Sequence, residues 1–141
     1  MDKTCLYCSK VLRAHQAKYC SNICQKDHEY ASYINSWLAG NKHGGRGVNA
    51  KNISRHIVRY LFSKYDSRCS LCGWDTIHPQ TKRVPLEVDH IDGNADNNKE
   101  SNLRLLCPNC HSLTTNYRNL NMGNGRVWRR EKYVKIGELP L

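Results

Sequence analysis

The chain has 141 residues, room for one ordinary domain or two small modules, and its 39% hydrophobic content argues against one large core. A formal charge of +10 suits a polyanionic partner, or else a solvated surface that keeps the protein soluble. No run approaches membrane-spanning length, and the start, Met1-Asp2-Lys3-Thr4-Cys5, lacks the apolar core of a signal peptide. The eight cysteines are therefore expected to be reduced, which favours metal ligation over disulfides. The charge is uneven: residues 86–117 hold two Lys/Arg against five Asp/Glu, whereas every flanking segment is net basic. An acidic island in a basic chain suits a cation held against a polyanion.

Cys5-x2-Cys8 and Cys20-x3-Cys24 open the chain. A tight knuckle and a helix start can bring four thiolates to one tetrahedral zinc, a closed site with no open position for substrate. His15 and His28 are substitute ligands, and disulfides or free thiols the alternative state. Ser21 is placed to cap a helix over 21–38, along which Ile23, Tyr30, Tyr33, Ile34 and Trp37 recur at roughly helical spacing. That face reads as packing on the knuckle; Lys10, Lys26 and His28 leave a DNA-contacting helix as the rival reading. Residues 1–39 are thus an expected N-terminal zinc-binding module.

Residues 40–52 read as a flexible, Gly-rich linker, with four glycines between positions 40 and 47. No Gly-Lys-Ser/Thr closes it, so a phosphate-cradling P-loop is unsupported. Its Lys and Arg are candidates for touching backbone phosphates, against a plain spacer role. Beyond it, Ile53, Ile57, Val58, Leu61, Phe62 and Tyr65 trace an amphipathic helix, capped by Asn52 or Ser54. Arg55, Arg59 and Lys64 lie mostly off the apolar face, as a solvated basic side or, for Arg55 and Arg59, as DNA contacts. Cys69-x2-Cys72 followed by Gly73 is a second zinc knuckle, and Cys107-x2-Cys110 supplies its other two ligands.

Between those pairs, residues 84–91 and 103–106 read as two strands. The intervening Asp92-Gly93-Asn94-Ala95-Asp96-Asn97-Asn98 is loop chemistry. An EF-hand register on Gly93 fails, because its first and twelfth positions are Val88 and Lys99. Pro108 suits the first turn of a helix over 107–117.

Taken together, Asp89-His90, Asn102-Leu103 and Cys107-x2-Cys110-His111 resemble the HNH endonuclease family, in its zinc-clamped phage form. The resemblance covers residues 53–118, with a basic tail at 119–141 outside it. It implies a small α+β fold, a ββα-metal nuclease domain preceded by the four-cysteine module. By position, His90 matches the general base, Asp89 and His111 the ligands of the catalytic ion, and Asn102 the residue that fixes loop and histidine. Where some members carry a further histidine, this chain has Thr115, so a hard ion such as Mg²⁺ is expected, with Mn²⁺ or Ni²⁺ also suited. Two structural zinc ions complete the expected cofactors. Glu87 and Asp92 are nearby acids without a family role.

The chemistry agrees with the resemblance. Phosphodiester hydrolysis needs an activated water, a cation on the scissile phosphate and stabilisation of the leaving oxygen. One geometric difficulty stands out. Strand neighbours face opposite ways, so Asp89 and His90 converge on one phosphate only if the strand ends or bulges there. In the tail, Arg118, Arg126, Arg129, Arg130, Lys132 and Lys135 surround Trp128 and Tyr133, a pattern suited to DNA backbone contact or to a solvated end. The expected function is divalent-metal-dependent DNA cleavage in the cytoplasm of a bacterial or phage-infected cell, as a nick or, through a homodimer or two events, a double-strand break. The alternatives are a non-catalytic zinc-dependent DNA-binding protein and a zinc module that binds protein.

Overall fold

The computed structural model describes residues 1–46 and 52–122. Residues 47–51 of the expected linker and the tail from 123, with Arg126, Arg129 and Arg130, lie outside the described residues; within the expected linker, Arg46 N–H donates to Asn52 O at 2.7 Å. The chain divides into two compact units, Met1–Lys42 and His43–Leu141.

In the first unit a bridge between Thr4 and Val11 frames the opening knuckle, and α1 follows at Asn22–Leu38. Ser21 caps α1, its hydroxyl accepting from the Cys24 backbone N–H at 3.2 Å. Ile34 and Trp37 are the buried side chains of α1, and Ile23 is exposed. The first turn spends Cys24 on the cysteine cluster, and adjacent helical residues diverge by about 100°. The expected apolar face is correspondingly shorter.

The second unit is the small α+β frame the sequence leads one to expect. Its elements are α2 (Arg55–Lys64), β1 (Glu87–His90), β2 (Leu103–Leu106) and α3 (Pro108–Ser112). A 3-10 turn at Glu100–Asn102 leads into β2, and another lies at Arg118–Asn121. Ser54 caps α2, accepting from the His56 N–H. The strands pair antiparallel, with Asp89 opposite Arg104 and His90 opposite Leu103. Ile57 and Leu61 of α2, with Leu103, Leu105 and Leu106 of β2, are the fully buried side chains. Leu106 packs with Cys69 and Cys107 of the cysteine knuckle, so the apolar core among the described residues is small and a metal held by that knuckle would carry part of the fold. No helix among the described residues is long and apolar enough to cross a membrane.

Candidate active site

Two cysteine quartets frame the molecule. Cys5, Cys8, Cys20 and Cys24 gather in the first unit, and Cys69, Cys72, Cys107 and Cys110 in the second, each with all sulfurs within 4.8 Å of one another. Sulfur separations of 3.6 Å (Cys8–Cys20), 3.4 Å (Cys20–Cys24) and 3.7 Å (Cys72–Cys107) fit the edges of a tetrahedron with metal–sulfur bonds of about 2.3 Å. Both knuckles turn alike. Ser9 N–H donates to Cys5 O and Gly73 N–H to Cys69 O, and Ser9 and Gly73 both sit at positive φ, 59° and 76°.

The thiols of each quartet are unequal. Backbone N–H donation, foremost from Cys8, lowers Cys5 to about 6, while the hydrogen bond with Cys24 pushes Cys20 up to about 12. Burial opposes the Cys69 thiolate, but the N–H groups of Cys107, Cys72 and Leu71 outweigh it and lower Cys69 to about 6. Contact with Cys72 pushes Cys110 up to about 12. One thiolate forms readily in each quartet, at Cys5 and at Cys69, and a bound cation would favour loss of the proton from the raised Cys20 and Cys110 thiols. That is the donor chemistry of structural zinc.

The second quartet clamps the β1–β2–α3 frame. Ser70 N–H donates to Leu105 O at 2.8 Å, tying the knuckle to β2, and Cys107 caps α3 through its sulfur. Pro108 at the first turn of α3 costs no hydrogen bond there. This geometry brings His111 to the β1 face that carries Glu87 and Asp89. His111 Nε2 lies 3.8 Å from Asp89 Oδ1, and His111 Nδ1 hydrogen-bonds Glu87 Oε2. Tyr117 packs edge-on against the same ring. With Nδ1 donating to Glu87, a neutral His111 presents its Nε2 lone pair toward Asp89. The 3.8 Å gap is less than two metal–ligand bonds of about 2.1 Å each, so one ion is within reach of both groups. Asp89 is buried, and its other oxygen accepts from Arg104 Nε at 2.7 Å.

His90 is the last residue of β1, and its ring turns to the loop, with Nε2 2.8 Å from Asn98 Oδ1. Strand alternation therefore separates it from Asp89 as anticipated, and the strand ends at that point. The amide oxygen of Asn98 only accepts, so Nε2 carries the hydrogen and Nδ1 is the basic nitrogen. Asn102 is buried and pins the loop: its Oδ1 accepts from Asp92 N–H at 3.0 Å, and its Nδ2 donates to Asp92 Oδ1 and Asn97 O, both at 2.8 Å. Burial opposes the Asp92 charge, but hydrogen bonds from Asn97, Asn94 and Asn102 outweigh it and hold its carboxyl below the usual range. Gly93, at φ +74°, turns the chain back; a Cβ there would meet Asn121 Oδ1 at 2.3 Å.

The structure thus brings Asp89 and His111 together, turns His90 to Asn98, and uses Asn102 within the loop. Sequence reasoning missed Arg104, Asn98, and the loop-bracing Asn116 and Asn121, whose Nδ2 groups donate to Ile91 O at 3.1 Å and Gly93 O at 2.7 Å, and left Glu87 without a role. Arg104 was findable from register, since antiparallel pairing sets it opposite Asp89. The rest depend on how the loop folds back, which no periodicity encodes.

Comparison with known proteins agrees with the sequence-based resemblance. Residues 69–117 match the HNH endonuclease family. A curated relative, "H-N-H endonuclease F-TflIV" of Escherichia phage T5, is 46% identical over 56 residues, 40% of this chain. The match spans 24% of that relative's length. No solved structure matches.

Proposed function

We propose that this protein is a divalent-metal-dependent endonuclease that hydrolyses DNA phosphodiester bonds. The observation that carries the reading is the approach of Asp89 and His111 at the β1–α3 junction, inside the segment that matches the HNH family. A divalent ion bound there, Mg²⁺ or its substitutes Mn²⁺ and Ni²⁺, supplies positive charge at the scissile phosphate and the leaving 3′ oxygen. Asp89 and His111 would hold it, Glu87 bonds His111 Nδ1, and Arg104 adds a positive charge beside Asp89. His90 takes the proton of the attacking water on Nδ1, while Asn98 holds Nε2. Asn102 keeps the loop that carries Asn98 in register. The products are 5′-phosphate and 3′-hydroxyl ends, and one such centre cuts one strand per encounter.

Supercoiled plasmid incubated with the zinc-loaded protein and Mg²⁺, Mn²⁺ or Ni²⁺ tests this. The wild type should nick or linearise it, and His90→Ala should be slower by about 100-fold or more with DNA binding retained. Wild-type protein that binds plasmid yet cuts with none of the three ions would return the reading to a non-catalytic zinc-dependent DNA-binding protein.

A further inference from the structure

Away from the Asp89–His111 centre, α2 and the segment before β1 enclose an open groove of about 880 Å³. Its rim carries Arg55, Arg59, Lys82 and Arg83, and Val58 and Phe62 lie along its floor. No carboxylate lines it, and among the described residues none pairs with Arg55, Lys82 or Arg83. The cations on α2 come from its exposed side. Val58 and Phe62 were expected in the core from helical spacing alone, yet only Ile57 and Leu61 of α2 are buried.

The opposite rim is a built turn. His78 N–H donates to Arg83 O at 2.9 Å, Lys82 N–H to His78 O at 3.0 Å, and His78 Nδ1 accepts from the N–H groups of Gln80 and Thr81. Lys82 sits at φ +56°, where glycine or asparagine is the favoured residue. A lysine kept in that conformation, beside Arg83 and facing two more arginines, is a strained arrangement that an electrostatic role explains.

We propose that this groove holds backbone phosphates of the same DNA duplex that the Asp89–His111 centre cuts, which rests on the nuclease reading above. Charge complementarity sets the ligand class, and chain geometry sets the duplex. Val84 of the groove precedes Asp89 by five residues, at most about 18 Å of extended chain. At 3.4 Å of rise per step, that is within about five base pairs of the scissile phosphate. The groove therefore positions the duplex without reading its bases, and the exposed Ile77 with the half-buried Phe62 gives the sugar edges an apolar bed.

Fluorescence anisotropy with a labelled duplex, on zinc-loaded full-length protein without other divalent ions, tests the proposal over about 50 to 200 mM salt. Lys82→Gly/Arg83→Ala relaxes the strained φ and removes two charges; Arg55→Gln removes one from the helix. The double variant should bind about tenfold more weakly at the low-salt end, and its slope of log affinity against log salt should be shallower by about two. Arg55→Gln should reduce the slope by about one. Lys64→Gln/Arg68→Gln, which removes two charges outside the groove, should keep the wild-type slope. Unchanged slopes in the groove variants, or an equal loss in the Lys64/Arg68 control, would overturn the groove even if the wild type cuts plasmid. Groove variants that lose slope while the wild type cuts with no ion would sink the nuclease reading and leave the phosphate groove standing.

Discussion

At the scale of single residues, the centre is organised by pairs that hold one another's charge or tautomer. Asp89 is the clearest case. Its side chain is 7% exposed and is neutralised by Arg104, itself 23% exposed. Removing one partner of such a buried pair leaves an unmatched charge. Arg104→Met should therefore destabilise the zinc-loaded protein by about 3 kcal/mol in urea unfolding without added Mg²⁺. Adding Mg²⁺ should narrow the deficit, because a second cation would sit at Asp89 Oδ1, on the side toward His111; a deficit that ignores Mg²⁺ would count against Asp89 as a ligand of the proposed ion. The residues with a chemical signature, Asp89, His90, Asn102 and His111, were legible in the sequence, because acids, imidazoles and amides at those spacings have few other uses together. Asn98 and Glu87 were not, since an Asn in an Asn-rich loop and a Glu on a strand look the same whether or not they hold a histidine.

At the scale of elements, the frame is held by contacts between short pieces, not by long regular structure. Strand β1 starts at Glu87, three residues later than alternation suggests, because Pro85 has no N–H to donate and Leu86 N–H bonds Val84 O instead. Helix α3 stops at Ser112, well before 117. The hydroxyls of Ser112 and Thr114 take the Asn109 and His111 carbonyls, and Thr114-Thr115-Asn116 is a run of weak helix formers. Between α2 and the turn that leads into β2, Lys64 Nζ meets Glu100 Oε1 at 2.6 Å, joined by the Tyr60 hydroxyl at 3.0 Å. The Lys64 hydrogen bond holds the Glu100 carboxyl below its ordinary 4.5. A depressed carboxyl contributes stability that is complete above the ordinary value and is lost as pH falls through the folded one. The stability advantage of wild type over Glu100→Gln should thus be level near neutrality and shrink below pH 4.5, which parallel urea titrations at several pH values would show. An advantage that grows with acid would refute the assignment.

At the scale of the whole molecule, two cysteine quartets and two units correspond one to one. Trp37 is buried in the first unit and Trp74 packs beside Cys69 and Leu106 in the second, so each carries its own fluorophore. Cys8→Ser should release one zinc equivalent and leave the Trp74 environment intact. Cys107→Ser should release the other and unfold the second unit, whereas Asp89→Ala should keep both zinc ions. Zinc stoichiometry by a colorimetric chelator and fluorescence of single-tryptophan variants would separate these outcomes; loss of both zinc ions from either cysteine variant would show the units to be interdependent. The two cysteine quartets were the most legible feature, because paired C-x2-C and C-x3-C spacings restrict the chain to few arrangements. What spacing could not give was the groove, since it arises where an expected core face of α2 is left open.

The second zinc knuckle has its two halves, Cys72 and Cys107, 35 residues apart, with both strands in between. Joining the ends of a loop that long costs about 3 kcal/mol of chain entropy before any strand pair forms. If zinc closes this loop, the sheet should assemble as the ion captures its second pair of sulfurs, and the refolding rate should rise with free zinc until ring closure itself becomes limiting. On the proposed function, a newly made chain would complete its metal-binding centre only once zinc is delivered, so zinc supply would set the time at which it becomes able to act on DNA.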